Sequence, residues 1–210
     1  MTLGGFVDIF DSYAALAAAR REGVDFRRII LDRGAEHAVL APHGGKIEPG
    51  TSLLSAAIAA DRSNYYCLEG LLDGNNRELH VTSSRFDDPD CLALIAGCQQ
   101  VVTIHGRADL YRFSGRLDGE TIDLGGLDTG LREAIAGELS AAGFTAVLSS
   151  EFPALQPSNI CNRGPTGRGV QIEVPRSLRQ RARAEPALAQ ALAGAVRRGL
   201  DLDRERRIPA

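Results

Sequence analysis

Cysteines are few in this chain, and long apolar runs are missing. The four cysteines, Cys67, Cys91, Cys98 and Cys161, form no CxxC pair and no dense disulfide pattern. They fit free thiols in a reducing compartment rather than the framework of a small secreted domain. No segment approaches the roughly 18 continuous apolar residues of a membrane span, and the first residues lack the basic-then-apolar pattern of a secretory signal. The sequence therefore predicts a cytoplasmic protein without membrane contact.

The charge pattern shows no footprint for binding nucleic acid. The net charge is -3, and the arginines are spread along the chain and largely balanced by acids. The exception is the locally basic stretch Arg176–Arg207, whose spacing predicts a solvated helix face. At 210 residues, the chain can bury a substantial core, and a single domain over residues 1–210 is expected.

Segments with strand character alternate with helical segments along the chain. Strands are predicted at Phe26–Asp32, His37–Ala41, Asn64–Glu69, Glu78–Thr82, Val101–His105, Phe144–Leu148 and Gly169–Val174. Helices are predicted at Ser12–Arg20, Thr51–Ala60, Pro89–Ala96, Asp128–Ala142 and Glu185–Arg198. The first two strands are expected to form a hairpin, and Thr51 or Ser52 to cap the second helix. The alternation favours a single-domain α/β fold, with a mixed, mostly parallel twisted sheet flanked by helices.

Two of the predicted strands lead into the dipeptide His-Gly. His43 and His105 each follow an apolar segment, and Glu48 lies five residues after His43. Imidazole and carboxylate groups are ligands for zinc, which needs an open position beside its protein ligands to do chemistry. A glycine after each histidine would let a metal or substrate approach the backbone closely. Ligands of such sheets bind outside the carboxyl ends of the strands, so His43, His105 and Glu173 are expected to share one site.

A second polar cluster lies in and after the glycine-rich loop that precedes the last strand. The guanidinium of Arg163, next to Asn162, suits bidentate capture of a carboxylate. Glu173 follows in an apolar strand, where burial would raise the pKa of its carboxyl group, as a general base requires. A structural ion pair of Glu173 with Arg168 or Arg176 is the competing interpretation.

His80 lies in a predicted strand, close in sequence to Arg85. It could contact substrate or metal, or it could be an ordinary half-buried strand residue, and the sequence leaves both open. His37 has no supporting pattern and is expected at the surface.

Four blocks of sequence carry a resemblance to a known family. They are A-P-H-G-G-K-I-E-P-G-T-S, N-N-R-E-L-H-V-T-S-S-R-F-D-D-P, V-V-T-I-H-G, and N-I-C-N-R-G followed by G-V-Q-I-E-V-P-R-S-L-R. In this order, between about residues 13 and 179, they resemble the bacteriophage and bacterial poly-γ-glutamate hydrolases. The resemblance implies a zinc-carboxypeptidase-like fold. Residues 180–210 lie beyond it and are expected to form a C-terminal helix and tail.

The resemblance also implies roles for individual residues. It places one zinc ion per chain on His43, Glu48 and His105, and it makes Glu173 the general base. Arg85 would polarise the scissile carbonyl group. Asn162 and Arg163 would bind a substrate carboxylate, and His80 is assigned to the substrate site. The chain departs from the family pattern at Arg107–Asp109, and the stretch Tyr111–Glu120 is also unusual.

The implied function is zinc-dependent hydrolysis of γ-glutamyl amide bonds in an anionic polymer by a monomeric enzyme, in a cleft to which Arg163, Arg85 and Arg107 would contribute. One alternative is a zinc carboxypeptidase or amidase acting on another peptide or on a cell-wall γ-glutamyl linkage. Another is a non-catalytic, metal-free binding module on the same scaffold. A phosphate-binding loop is a further alternative, because G-G-K-I-E-P-G-T-S lies between a strand and a helix, although Lys46 is not followed directly by Ser or Thr as a P-loop requires.

Overall fold

A seven-stranded mixed sheet forms the centre of the computed structural model, which describes residues 8–111 and 114–207. The strand order is β1-β3-β2-β4-β7-β5-β6. Strands β3, β2, β4 and β7 are parallel, β1 runs antiparallel at one edge, and the parallel pair β5 and β6 runs antiparallel to β7. The strands are β1 Phe26–Leu31, β2 His37–Gly45, β3 Asn64–Gly70, β4 Gln100–Arg107, β5 Ile122–Gly125, β6 Ala146–Leu148 and β7 Val170–Pro175.

Helices cover both faces of the sheet, as predicted. They are α1 Tyr13–Ala19, α2 Thr51–Ala59, α3 Pro89–Ile95, α4 Thr129–Ala141, α5 Arg176–Ala184 and α6 Pro186–Arg207. Helices α2, α4, α5 and α6 pack on one face, where their apolar residues meet those of the central strands. Helices α1 and α3 pack on the other face in a second apolar cluster. The predicted α/β class, with its mostly parallel centre, is therefore confirmed.

Several local predictions are wrong. Strands β1 and β2 form no hairpin, because β3 lies between them in the sheet. The predicted strand Glu78–Thr82 is instead a short 3-10 helix, Asn76–Leu79, followed by an irregular segment. Helix α2 is preceded by Gly50 in the left-handed conformation, with no side-chain cap from Thr51 or Ser52. Strand β5 was not predicted, and α5 was predicted only as part of the solvated helix face over Arg176–Arg207 and not as a separate helix.

An irregularity in β2 determines where His43 points. Ala41 pairs with Cys67 and Gly44 pairs with Glu69, so β2 holds one more residue than β3 over this span. Such a bulge reverses the alternation of side chains along a strand. Ala41 faces the cluster under α2, whereas the ring of His43 meets His105 on the opposite face. The bulge thus brings the two histidines to the same side of the sheet.

The parallel centre of the sheet sets the place of the site. β2, β4 and β7 run in the same direction, and each carries a residue of the predicted site near its carboxyl end. His105 is directly opposite Glu173 in the pairing of β4 with β7. Within the described ranges, none of the helices has the length and apolar character needed to cross a membrane.

Candidate metal centre and active site

His43, Glu48 and His105 form a cluster that could hold a metal ion. One ligand atom from each lies within 4.8 Å of the others. The Nδ1 atoms of the two histidines are 3.1 Å apart, and His43 Nδ1 is 3.4 Å from Glu48 Oε1. Ligands about 2 Å from a tetrahedral zinc lie roughly 3.3 Å from each other. The spacing of the three side chains fits one such ion.

Each of the three side chains is also held by its other polar atom. Nε2 of His43 donates to the carbonyl oxygen of Val81 at 2.8 Å, so Nδ1 is the atom that faces the cluster. Although burial opposes it, the negative charge of Glu48 raises the pKa of His43, so a metal would displace the proton of Nδ1. Nε2 of His105 lies 3.3 Å from the hydroxyl of Ser83. The backbone N–H of Gly106 donates to Glu48 Oε2 at 2.7 Å. Such outer partners fix the orientation and the tautomer of metal ligands.

Gly106 is closely packed against the side chain of Arg179. A Cβ atom at this position would lie 2.4 Å from the guanidinium carbon of Arg179. That guanidinium donates to the carbonyl oxygens of Val174, Pro49 and Arg107. Arg179 therefore ties β7, the loop after β2 and the end of β4 together directly beside the cluster.

Burial and the charges of their neighbours determine the protonation of the three clustered side chains. Burial, and then the positive charge of His43, lower the pKa of His105 to about 3, which keeps its imidazole neutral. Although burial opposes it, the positive charge and the hydrogen bond of His43 lower the pKa of Glu48 to about 2. The site thus offers a neutral imidazole and an ionised carboxylate at neutral pH, as a metal requires of its ligands.

Glu173 lies in the same cavity, and its carboxyl group holds its proton more tightly than an exposed one would. Burial, and then the negative charge of Glu48, raise the pKa of Glu173 to about 8. Its Oε1 accepts a hydrogen bond from Gln171 at 3.0 Å, and Gln171 in turn accepts one from Asn159 at 2.9 Å. No ion pair of Glu173 with Arg168 or Arg176 occurs among the described residues, so the competing interpretation is wrong; Arg168 instead faces Asp128 at 3.7 Å.

The raised pKa of Glu173 leads to a prediction for the pH dependence of the stability of the metal-free protein. Between its ordinary pKa of 4.5 and about 8, only the folded state keeps this proton, so the free energy of unfolding falls as the pH rises. Glu173→Gln removes this titration. We expect the variant to gain roughly 2–4 kcal/mol relative to the wild type between about pH 5 and about pH 8. Urea unfolding after chelation measures the free energy of unfolding of both proteins, and the exposed Glu133→Gln is the control. If the difference in this free energy between Glu173→Gln and the wild type does not change with pH, the carboxyl group of Glu173 is not buried as described.

His80 lies beside the cluster, held by an aspartate from the start of the chain. Its Nδ1 lies 2.6 Å from Oδ1 of Asp8, which can only accept, so Nδ1 carries the proton. Its ring stacks on His43 with centroids 4.0 Å apart, and Nε2 is 4.0 Å from Glu48 Oε1. His80 is not in a strand, yet it faces the site. Asp8 and Gln171 are site residues that the sequence reasoning missed, although the spacing of Gln171 two residues before Glu173 in a strand could have indicated it.

The other predicted substrate residues lie outside the cavities described here. Arg85 is bound by Asp11 and Asp8 at 2.5 and 3.0 Å. Asn162 is buried and donates to the carbonyl oxygens of Ala154 and Gln156, while its oxygen accepts from two backbone N–H groups. Arg163 is exposed and donates to the carbonyl oxygen of Phe86 at 3.4 Å. A contact of Arg85, Asn162 or Arg163 with substrate stays a prediction.

The departure at Arg107–Asp109 has a structural explanation. Nε of Arg107 donates to Asp123 at 2.8 Å, and its other nitrogens donate to the Tyr111 hydroxyl and to backbone carbonyl oxygens. Asp109 accepts from the N–H and hydroxyl of Ser177 at 2.9 and 2.7 Å. This segment therefore fastens the end of β4 to β5 and to the start of α5. The donors of Arg107 are all used inside the protein.

Two cavities meet at the cluster. One, of about 460 Å³, contains His43, His105 and Glu173 and is closed on one side by the segment 152–156. The other, of about 530 Å³, extends from Glu48 and His80 toward α5. Lys46 lines neither, and its amine donates to the carbonyl oxygens of Leu71 and Leu72. The phosphate-binding interpretation of this loop therefore lacks its lysine.

A family model described as poly-γ-glutamate hydrolase matches residues 10–189 of the chain. The UPF0714 protein YndL of Bacillus subtilis (strain 168) is 31% identical over 176 residues, which are 82% of this chain and 66% of that protein. The SPβ prophage-derived UPF0714 protein YoqZ of the same strain is 37% identical over 139 residues, 65% of this chain and 47% of that protein. The chain thus spans about half to two thirds of the length of these relatives.

Two solved structures share the fold closely. A bacteriophage poly-γ-glutamate hydrolase superposes with a TM-score of 0.86 and 27% identity, covering 96% of this chain and 100% of that one. The zinc-free apo form of YndL superposes with a TM-score of 0.80 and 29% identity, covering 93% and 98%. An N-formylglutamate amidohydrolase from Ralstonia eutropha JMP134, at 15% identity and a TM-score of 0.59, covers 87% and 99% and shares the fold alone.

Proposed function

The chain belongs to the poly-γ-glutamate hydrolase family, and on this premise we propose that it is a zinc-dependent hydrolase of the γ-glutamyl amide bonds of poly-γ-glutamate. The observation that carries the proposal is the convergence of His43, Glu48 and His105 on one point beside Glu173. Two neutral imidazoles and a carboxylate are a donor set that zinc uses in catalytic sites. The zinc-free state named for the YndL structure supports the choice of metal.

The proposed metal centre uses groups that the fold has already oriented. His43 and His105 would each present Nδ1, and Glu48 would present Oε1, since their other polar atoms are held by Val81, Ser83 and Gly106. When bound in such a site, zinc lowers the pKa of a water molecule to near neutrality and polarises a carbonyl group.

Glu173 would accept the proton of the attacking water and then return it to the leaving amine. It must be ionised for the first step, and repulsion from Glu48 is the second cause of its raised pKa, after burial. Engagement of Glu48 by a cation would therefore bring the pKa of Glu173 down toward neutrality. The hydrogen bonds from Asn159 through Gln171 hold Glu173 in place for both steps.

His80 would assist from the opposite side of the cluster. The carboxylate of Asp8 fixes the proton of His80 on Nδ1, so Nε2 remains as an acceptor where the two cavities meet. Arg85, held by the same aspartate, would reach a scissile carbonyl group only after leaving Asp8 and Asp11. For Asn162 we propose a positioning role, because it holds the segment 152–156 that closes the cavity.

We further propose that the monomer is the working unit, because every residue of the cluster comes from one chain. A cytoplasmic location is supported by four cysteines that are all free and buried. A nucleic-acid partner is not part of the proposal, because the net charge is -3 and the arginines are spread along the chain and largely balanced by acids.

The experiment that tests the proposal measures metal content and polymer cleavage on the same preparation. We expect about one zinc per chain and shortening of poly-γ-glutamate, followed by gel filtration, with both lost after chelation and restored by zinc. Zinc without cleavage would overturn the substrate and direct the search to other peptides and cell-wall γ-glutamyl linkages. A protein that binds no zinc on reconstitution would overturn the enzyme and leave a binding module.

A further inference from the structure

Arginines line the second cavity, and we name this cavity the arginine cleft. The arginines are Arg77, Arg176, Arg179 and Arg183. It has a volume of about 530 Å³ and meets the metal-site cavity at Glu48 and His80, which line both. Among the described residues that line it, Glu48 is the sole acid, and its carboxylate is turned toward His43 and the N–H of Gly106. The cleft is therefore a strongly positive channel that opens directly beside the reacting centre.

Helix α5 supplies three of these arginines from one face. Positions 176, 179 and 183 are spaced i, i+3 and i+7, so their side chains lie along the same side of the helix. Pro175 ends β7 just before the helix, and Asp109 binds its first turn through Ser177. The stretch that the sequence analysis assigned to a solvated face thus begins with a helix whose arginines line a cavity.

The three arginines that α5 contributes to the cleft form no ion pair with an acid among the described residues, whereas many of the other described arginines do. Within residues 8–111 and 114–207, no carboxylate lies within ion-pair distance of Arg176 or Arg183, and both are exposed. Arg179 is buried and donates only to backbone carbonyl oxygens. By contrast Arg181, on another side of the same helix, pairs with Glu120 at 2.8 Å.

Like charges held together in this way repel each other, and an anionic ligand relieves that repulsion. Guanidinium groups bind carboxylates through paired, directional hydrogen bonds, which makes arginine the preferred residue for recognising them. A γ-linked glutamate polymer carries a free α-carboxylate on every residue, whereas an ordinary peptide carries one only at its acidic side chains and its end. The cleft suits a ligand with closely repeated carboxylates.

Resting on the function proposed above, we propose that the arginine cleft is a substrate subsite, in which Arg176 and Arg183 bind the α-carboxylates of γ-glutamyl residues on one side of the scissile amide. Arg77 lines the cleft from the segment after β3, and Arg179 holds its floor beside Gly106. The arginines predicted for this purpose, Arg85, Arg163 and Arg107, are occupied by other groups or lie elsewhere.

The test uses the zinc-loaded Arg176→Gln/Arg183→Gln variant, with Arg181→Gln as the matched control on the same helix. Glutamine is a good helix former, and both positions are exposed, so the variant should unfold at the temperature of the wild type. We expect the KM for long poly-γ-glutamate to rise by about tenfold for each arginine removed, with a much smaller change in kcat. Added salt should raise the KM of the wild type more than that of the variant. Arg181→Gln should match the wild type.

Unchanged KM in the double variant, or a loss confined to kcat, would overturn the subsite while leaving the hydrolase intact. If the zinc-loaded wild type does not cleave the polymer at all, the proposed function fails, and the cleft is then tested by binding alone. In that case the affinity of poly-γ-glutamate for zinc-loaded Glu173→Gln is compared with and without the two arginine substitutions. Equal affinities would overturn the subsite as well.

Discussion

Zinc-loaded Glu173→Gln is expected to cleave poly-γ-glutamate with a kcat lowered by about 10²–10⁴-fold, the usual contribution of a general base. Glutamine keeps the shape of the side chain and can still bind Gln171, but it cannot accept a proton from water. The residue lies opposite His105 in the sheet and is 8% exposed, within the same cavity as the metal ligands. Its loss should therefore act on the chemical step and not on the binding of zinc or polymer.

Three measurements make this result specific. Zinc content should remain at the wild-type level, and the KM should change little. The exposed Glu133→Gln on α4 is the matched control and should retain full activity. If Glu173→Gln keeps activity within about tenfold of the wild type, the base is another group, with His80 the next candidate because its Nε2 faces the same cavity.

The second large effect is expected from His105→Ala. Its Nδ1 lies 3.1 Å from that of His43, and the pKa of about 3 that burial and His43 impose on it keeps its lone pair available well into the acid range. Removal of even an outer partner of a zinc ligand costs about 10–100-fold in affinity. We expect loss of the ligand itself to exceed that range and to abolish cleavage. Calorimetric titration with zinc and elemental analysis measure it.

His37→Ala offers a control with the same chemical change. His37 begins β2 at the other end of the strand that carries His43, so its loss should leave zinc affinity and activity unaltered. Zinc should also raise the unfolding temperature of the wild type and of His37→Ala, since a ligand that binds the folded state stabilises it. If His105→Ala bound zinc with the affinity of the wild type, the proposed metal centre would be contradicted.

The strands that carry the cluster could be predicted because their signals are local. The apolar segments before His43, His105 and Glu173 are short and end clearly, and carboxyl ends of parallel strands meet at one edge of a sheet. The parallel pairing of β2, β4 and β7 confirms this arrangement. No local pattern showed the bulge between Ala41 and Gly44, although without it His43 would face the other side of the sheet.

The wrong predictions concern segments whose partners in the fold lie far away in the sequence. The segment Phe26–Leu31 was expected to pair with its neighbour in sequence, but it pairs with β3, because β2 is buried on both sides by parallel partners. The alternating pattern around His80 resembles a strand. It serves instead to place Leu79 and Val81 in the cluster under α1 and α3 while Asp8 binds His80. Periodicity records which side chains are buried and not what buries them.

The sequence by itself determined the residue types of the site, the ends of the strands that carry them and the family of the chain, because these depend on local pattern and on the order of motifs. Only the tertiary structure decided which arginines are available to a ligand. Every arginine carries the same charge, but in the folded protein Arg85 forms ion pairs with Asp8 and Asp11, and Arg107 forms one with Asp123. Arg176 and Arg183 line the cleft, and no carboxylate within residues 8–111 and 114–207 forms an ion pair with either of them. An ion pair is a contact between segments far apart in the chain, and folding alone brings its partners together.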